Sequence, residues 1–340
     1  MNYNQYRISF TIISILLLMG VSSCIKTDDE KYPITPIPEG VKIGSTGNKD
    51  TYQYWTYYSL KNNQAVMVLD KASWDLGFSC LNDSLTIILN TANFMYAANS
   101  GKTDFDQVKS AAGLKMNFDA SNGNPDSNAI GKWYRDSSGF VVSKREVYVI
   151  DRGVDIDGNS IGFRKIQILG FSNNEFKVRI ANLNGTNDTM VSIPKENNKT
   201  FTGLSFNTLQ ALTIEPDRDD WDILLGQYTT MLFSDGEPYP YIVTGAVLNP
   251  KSVMALELNN TIFADFNAAL FPNYTLSKAH DAIGYNWKTY SLSAGKYTMI
   301  DKLIYLVKGI DGANYKFRFL DFYDNNGNKG YPTFEYQKLL

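Results

Sequence analysis

Short runs of strand-forming residues dominate the sequence, and this pattern limits the chain to a β-rich fold. Between positions 50 and 338, stretches rich in Val, Ile, Tyr and Phe alternate with turn residues. Several of these turns are Asp or Asn followed by Gly, pairs that supply the positive φ angles of tight hairpins: Asp157, Asn184, Asp235, Asp311 and Asn326. The pattern predicts an all-β protein of antiparallel strands, with few short helices around residues 105–112 and 263–270.

The N-terminal residues are typical of a secretory signal. An apolar stretch from Ile8 to Met19 is too short to span a bilayer comfortably. The tetrapeptide from Val21 to Cys24 resembles a bacterial lipobox. We therefore expect a signal peptide over residues 1–23, cleavage before Cys24 and acylation of the Cys24 thiol, which gives stable membrane attachment when more than one acyl chain is added.

Residues 24–49 contain three prolines and no hydrophobic period, which predicts a flexible tether behind the lipidated cysteine. The acidic cluster from Asp28 to Glu30 is similar to an export signal for the outer face of the outer membrane, although a solvated spacer explains it equally well. The expected location is the outer membrane, lipid-anchored and surface-exposed.

Composition excludes several classes of function. The net charge of -3 offers no basic face for a nucleic acid. Two cysteines and one histidine cannot supply a zinc site of ordinary spacing, and no nucleophile elbow, phosphate-binding loop or dinucleotide fingerprint occurs. With Cys24 acylated, Cys80 has no disulfide partner. We expect a protein that is not an enzyme, without a catalytic or metal site.

The sequence contains pairs of similar short segments, and the two members of each pair are separated by nearly the same number of residues. This pattern predicts an internal duplication. A Trp-Asp pair occurs at Trp74 and again at Trp221, 147 residues later. The strand starting at Trp55 matches the one starting at Phe201 at an offset of 146. Two later pairs of matching positions follow in the same order: Trp133 with Trp287, and Phe163 with Tyr315. We infer two tandem antiparallel β modules, residues 50–199 and 200–340.

Asp75 and Asp222, the acids of the repeated Trp-Asp pairs, have two possible roles. Because each follows a strand Trp at the same place in both modules, a structural role is favoured, in which the carboxylate accepts backbone N–H bonds from a loop. A ligand-binding or catalytic carboxylate is the alternative.

The order of these segments along the chain resembles that of the HmuY family of haem-binding surface lipoproteins. The resemblance rests on "WTYYSL" from Trp55, "SWDLGF" from Ser73, "DDWDILL" from Asp219 and the closing "YKFRFLDFYDNNGNKGYPTFEYQ" from Tyr315. It implies a β module that holds a porphyrin between strands through two axial ligands and passes it to a TonB-dependent outer-membrane transporter, a role in iron acquisition.

The chain departs from the paired histidines of the best-known member, because His280 is its only histidine. The family's second histidine falls on or near Leu292 or Ser138 here. Met thioether is another donor for haem iron, so the axial candidates are Met254, Met299 and His280. Only the second module carries the complete closing hairpin, so we expect that module to bind.

Two alternatives stay open. A binding or scaffold lipoprotein could keep the fold, lose haem ligation and recognise a protein or glycan. A surface hydrolase would need paired carboxylates in one cleft.

Overall fold

The structure is a computed structural model and describes residues 39–49 and 51–340. The predicted signal peptide of residues 1–23 and the lipidation residue Cys24 lie outside the described residues. Within them the fold is all-β, as predicted, with 22 strands, five short 3-10 helices and no α-helix. None of the helices in the described part of the chain is long and apolar enough to cross a membrane.

The strands of the first part of the chain are β1 (Val41–Ser45), β2 (Tyr54–Ser59), β3 (Gln64–Asp70), β4 (Leu76–Ser79), β5 (Ile87–Leu89), β6 (Tyr96–Asn99), β7 (Tyr134–Ser137), β8 (Phe140–Ser143), β9 (Val147–Asp151), β10 (Phe163–Ser172) and β11 (Glu175–Ala181). The remaining strands are β12 (Thr189–Pro194), β13 (Phe201–Ser205), β14 (Gln210–Thr213), β15 (Ile223–Ser234), β16 (Glu237–Leu248), β17 (Met254–Leu258), β18 (Lys288–Ser291), β19 (Lys296–Met299), β20 (Ile304–Lys308), β21 (Asn314–Tyr323) and β22 (Lys329–Lys338). The 3-10 helices are Lys71–Ser73, Thr91–Asn93, Phe105–Gln107, Pro125–Ser127 and Phe271–Asn273.

Two sequence expectations need correction at this level. The tether predicted for residues 24–49 is wrong for Val41–Ser45, because β1 pairs along its whole length with β22 and thereby joins a sheet. The helix predicted around residues 105–112 shrinks to the 3-10 turn Phe105–Gln107, and the helix predicted around residues 263–270 is wrong, because those residues form only turns before the 3-10 helix Phe271–Asn273. Turns suffice because each segment only places a few apolar side chains against the outside of a sheet.

The strands form two outer and two inner sheets. The first outer sheet has the order β12-β11-β10-β9-β6, and the second outer sheet has the order β1-β22-β21-β20-β17. The first inner sheet has the order β14-β13-β4-β5, and the second has the order β16-β15-β2-β3. Two separate hairpins, β7–β8 and β18–β19, complete the structure.

Each inner sheet packs against one outer sheet to form a hydrophobic core. The first core joins Leu76, Phe78 and Leu204 of the first inner sheet to Ile166 and Val178 of the first outer sheet. The second core is made in the same way by the second pair of sheets, with members that include Tyr58, Leu225, Val307, Phe317 and Phe334. Alternating inward side chains on facing antiparallel sheets explain both cores.

The two halves of the chain exchange strands across the predicted boundary at residues 199 and 200. In the first inner sheet β13 pairs with β4, and in the second β15 pairs with β2. Tyr58 and Leu60 therefore belong to the core of the second half, and Leu204 and Phe206 to the core of the first. The boundary at residue 199 divides the sequence, but it does not separate the two cores.

Asp75 and Asp222 have the structural role that was favoured from the sequence. The Asp222 carboxylate accepts hydrogen bonds from the backbone N–H of Leu60 and of Ile310, both at 2.7 Å. The Asp75 carboxylate accepts one from Phe206 N–H at 2.7 Å and is paired with the buried Arg152, whose Nε donates at 2.7 Å. Each aspartate thus holds a segment of the opposite half.

Matching contacts recur elsewhere in the two halves. Lys165 Nζ donates to two carbonyl oxygens of the loop around Phe105, and Lys316 Nζ donates to two of the loop around Phe263. Asn90 and Asn249 each donate to the carbonyl of the Trp in the Trp-Asp pair that precedes them. These matching contacts support the internal duplication. The duplication itself remains an inference from the sequence.

Candidate functional site

The β15–β16 hairpin extends beyond its sheet and presents apolar side chains to solvent. Both strands are 12 residues long, but β2 pairs only with the first three residues of β15. The free end carries Met231, Phe233, Tyr239 and Tyr241, all exposed, and Tyr241 is 54% exposed. Strands that end in exposed aromatic side chains form a surface able to bind flat apolar ligands.

The β18–β19 hairpin lies beside this free end. Lys288 on β18 donates from Nζ to the Thr244 carbonyl oxygen on β16 at 2.5 Å. Tyr290 and Tyr297 are cross-strand partners whose ring centroids are 4.9 Å apart. Burial raises the pKa of Tyr297, and the neighbouring hydroxyls of Tyr241 and Tyr290 add to this effect.

Five tyrosines on the two hairpins or next to them therefore form one group, here called the tyrosine cluster: Tyr239, Tyr241, Tyr285, Tyr290 and Tyr297. Tyr285 belongs to it because burial raises its pKa and the nearby Tyr239 raises it further. Tyr290 is 52% exposed, so the cluster is open to solvent on one side. Aromatic faces with polar tips at a solvent boundary are typical of binding surfaces.

Lys288 lies largely buried behind the tyrosine cluster. Its ammonium is 3.8 Å from the ring centroid of Trp287, 4.8 Å from Phe322 and 5.5 Å from Tyr297. Burial lowers the pKa of Lys288 from 10.5 to about 7. Its ammonium therefore loses its proton near neutral pH, behind an apolar surface.

The first half has no comparable pair of hairpins. Its β7–β8 hairpin corresponds in the chain to β18–β19 and also exposes an aromatic residue, Phe140, at 73%. The hairpin that corresponds to β15–β16 is formed by β4 and β5, of four and three residues. Strands that short cannot project beyond their sheet, so no second aromatic surface faces Phe140.

A separate cavity of about 330 Å³ lies where the two inner sheets face each other. Its walls include the rings of Trp55, Trp74 and Trp221. His280 also lines it, and the imidazole packs directly on Gly123. None of the five tyrosines of the cluster lines this cavity.

The structure separates the three residues predicted as axial ligands. Met299 lies on β19 of the separate β18–β19 hairpin and packs against the core of the second half. Met254 lies in β17 on the same face as Leu256 and Leu258, which pack on the opposite side of the second outer sheet. The two thioethers therefore lie on opposite faces of one sheet and do not form an axial pair.

His280 is held by its main chain. Its N–H donates to the Asn122 carbonyl oxygen at 3.0 Å, and its carbonyl oxygen accepts from Leu248 N–H at 2.7 Å. Burial lowers the pKa of the His280 imidazole, and the adjacent Asp281 partly opposes this. The imidazole is therefore a neutral donor at physiological pH, but it belongs to the cavity and not to the tyrosine cluster.

Neither the tyrosine cluster nor Lys288 was among the residues predicted from the sequence. The signal was present in "YPYIVTG", "YNWKTY" and "KYTM", which are dense in Tyr, but Tyr favours any half-buried strand and so predicts only β structure. The chain positions gave no indication that these segments would face each other.

Metal and paired-carboxylate chemistry find little support in the described residues. No group of three or more His, Cys, Asp or Glu side chains among them is placed to hold a metal ion. Two carboxyl groups line the cavity, Glu215 and Asp119. Both oxygens of Asp119 accept backbone N–H bonds, from Leu89 at 2.7 Å and Ala129 at 2.8 Å, which gives this carboxyl group a structural role.

The described residues thus form an all-β fold with an open aromatic surface on two adjacent hairpins. Residues 51–336 match the model of the HmuY protein family, and the chain belongs to that family. The match runs across residues 199 and 200, so the division into two modules stays a prediction.

Solved structures of similar proteins cover much of the chain at low identity. The apo form of PinO from Porphyromonas gingivitis is 11% identical over 88% of this chain and 98% of its own, with a TM-score of 0.32. The apo HmuY analog of Tannerella forsythia is 14% identical over 88% of this chain and 97% of its own, with a TM-score of 0.24. A protein from Bacteroides vulgatus described as an HmuY-like heme-binding protein is 20% identical over 40% of this chain and 83% of its own, with a TM-score of 0.18. Among curated proteins, none matches significantly.

Proposed function

We propose that this protein is a non-enzymatic surface lipoprotein that binds haem, or a similar flat hydrophobic molecule, for uptake. The observation that carries the proposal is the tyrosine cluster, an exposed aromatic surface on two adjacent hairpins in a chain of the HmuY family. Flat ligands gain most from stacking on aromatic faces and from removing apolar area from water.

The donors near the cluster suit haem iron in part. Haem proteins use Tyr oxygen and Met sulfur as well as imidazole for axial ligation. The cluster offers phenol oxygens, and the exposed thioether of Met231 lies on the same hairpin. The proposed site therefore depends mainly on stacking, with Tyr or Met in place of the family's paired histidines.

The proposed cellular setting follows from the N-terminal sequence and the family. Acylation of Cys24 would anchor the protein in the outer membrane, and export would expose it on the cell surface. A TonB-dependent transporter in the same membrane is the proposed acceptor of the ligand.

A haemin titration of residues 25–340 tests the proposal. We expect a saturable shift of the Soret band. The double substitution Tyr241→Ala and Tyr290→Ala should weaken haemin binding by about tenfold or more, because each exposed aromatic contact contributes on the order of 1 kcal/mol. Phe140→Ala is the matched control, because it removes an exposed ring from the corresponding hairpin of the first half.

The second candidate function is a binding or scaffold lipoprotein that recognises a protein or a glycan. It is favoured by one observation: His280 lines the cavity and the hairpins carry no histidine. An absent Soret shift would exclude haem as the ligand and favour this candidate. A shift that the double substitution leaves unchanged would show that haemin binds away from the tyrosine cluster and would overturn the proposed site.

A further inference from the structure

The cavity between the two inner sheets has walls that suit an aromatic ligand. Trp55, Trp74 and Trp221 contribute their rings, and Ile214 and Leu224 fill the spaces between them. These residues form the third hydrophobic cluster of the protein, where the two halves meet. A volume of about 330 Å³ is in the range of pockets that bind small organic molecules.

Glu215 places a carboxyl group in this apolar wall. The residue is 4% exposed. Its Oε1 accepts hydrogen bonds from the backbone N–H of Thr200 and of Phe201. Asp119 in the same wall differs, because each of its two oxygens accepts one backbone N–H bond.

No side-chain cation of the described residues is paired with Glu215. The nearest charged neighbour, Lys199, forms its ion pair with Asp217 at 2.7 Å. The other ionisable groups that face Glu215 are the Tyr57 hydroxyl and the Cys80 thiol, and neither is a cation. Buried carboxyl groups are normally paired, because an isolated buried charge is costly.

We propose that this cavity is a second binding site, for a small molecule with a flat apolar body and one protonated amine. The amine pairs with the carboxylate of Glu215, and the body lies among the three indole rings. Indole faces attract cations, so the walls and the carboxylate favour the same charge. Burial raises the pKa of Glu215 to about 7, and a bound cation would lower it again.

Three probes of similar size and different charge test the proposal by calorimetry: 2-phenylethylamine, 2-phenylethanol and 3-phenylpropionate. The amine should bind the full described chain about tenfold more tightly than the alcohol, because a charge-assisted bond to a buried carboxylate is worth on the order of 1.5 kcal/mol. The anionic probe should bind least. Equal binding of the amine and the alcohol, or no binding of the amine, would overturn the proposal.

Substitutions locate the site. Glu215→Gln should reduce amine affinity to that of the alcohol, whereas Glu257→Gln, a carboxyl group outside the cavity, should leave it unchanged. Three of the five tryptophans line the cavity, so amine binding should also change tryptophan emission. If Glu215→Gln does not fold, the order of the three probes on the unsubstituted protein still decides, and an amine affinity unaffected by a folded Glu215→Gln contradicts the inference.

Discussion

Asp75 and Asp222 each connect two segments that lie far apart in the chain. Asp222 satisfies two backbone N–H groups, of Leu60 and Ile310, that would otherwise be buried without partners. Burial raises the pKa of the Asp222 carboxyl, and its two hydrogen bonds oppose this. Asp75 neutralises the buried guanidinium of Arg152 in addition to its backbone bond. The repeated Trp-Asp pair therefore has a structural role in both halves.

Asp222→Ala should lower the free energy of unfolding by about 2–4 kcal/mol, because two buried donors lose their acceptor. Asp75→Ala should cost about 3–5 kcal/mol, because it leaves the Arg152 charge buried and without its carboxylate. Urea unfolding followed by tryptophan fluorescence measures both. Asp83→Ala, an exposed control, should change stability by less than about 0.5 kcal/mol, and equal effects at Asp75 and Asp83 would contradict the assigned role.

Lys288 should make stability depend on pH above neutrality. Its folded-state pKa of about 7 lies below the unfolded value of 10.5, so between these values the unfolded chain binds one more proton. Stability therefore rises with pH across this window, and the full cost of burying the charge is present below about pH 7.

Lys288→Met should stabilise the protein at pH 6 by about 2 kcal/mol, an order-of-magnitude value that allows for the attraction between the ammonium and the aromatic rings. The gain should shrink as the pH rises from 7 toward 10.5, because the free-energy cost of keeping the folded-state lysine neutral falls to zero at the unfolded pKa. Urea unfolding at a series of pH values tests this, with Lys308→Met as an exposed control. Parallel stability profiles for the wild type and Lys288→Met would disprove it.

The long β15–β16 hairpin determines at the level of elements where a ligand can bind. Its outer half adds no residue to either main core, since the residues from Met231 to Tyr241 are absent from both clusters. The register pairs Thr230 with Tyr241, so the hairpin could close directly after Thr230. Its length is therefore not needed for the fold.

Replacing residues 231–240 by Asn-Gly should keep the fold, because that pair supports a two-residue turn. The melting temperature should change by no more than a few degrees, on the order of 1 kcal/mol. Haemin affinity should fall, because Met231, Phe233 and Tyr239 are lost. Calorimetry and the haemin titration measure the two effects; a large loss of stability would show that the outer hairpin supports the core.

At the scale of the whole molecule, each core draws on both halves of the sequence. The first core is complete between Leu76 and Ala211. The second combines Tyr58 and Leu60 with residues from Ile223 to Tyr336. The physical unit of folding therefore differs from the repeat seen in the sequence.

A fragment of residues 71–217 should fold alone and unfold cooperatively in urea, because it contains β4 to β14 and the whole first core. A fragment of residues 50–199 should not, because it lacks β13 and carries β2 without its partner β15. Unpaired strands of this kind lead to aggregation or dimerisation. Circular dichroism and size-exclusion chromatography distinguish the two fragments. A fragment of residues 50–199 that is monomeric and folds cooperatively would contradict the exchange of strands between the two halves.

The sequence by itself determined the all-β class, the hairpin turns, the structural role of Asp75 and Asp222 and the resemblance to the HmuY family. These features follow from local residue preferences and from the spacing of matching segments, and both can be read directly from a sequence. It did not determine the place of β1, since a short segment next to a proline-rich stretch becomes a strand only because β22 offers a free edge.

Only the tertiary structure decided which strands pair across the two halves, and therefore where the tyrosine cluster and the cavity lie. Met254 and Met299 were equivalent candidates in the sequence, but Met299 packs on the second core, whereas Met254 shares the opposite face of the second outer sheet with Leu256 and Leu258. Glu215 looked like an ordinary strand residue until the exchange of strands brought three tryptophans around it. Long-range pairing depends on the sum of many contacts between distant segments, which no local pattern contains.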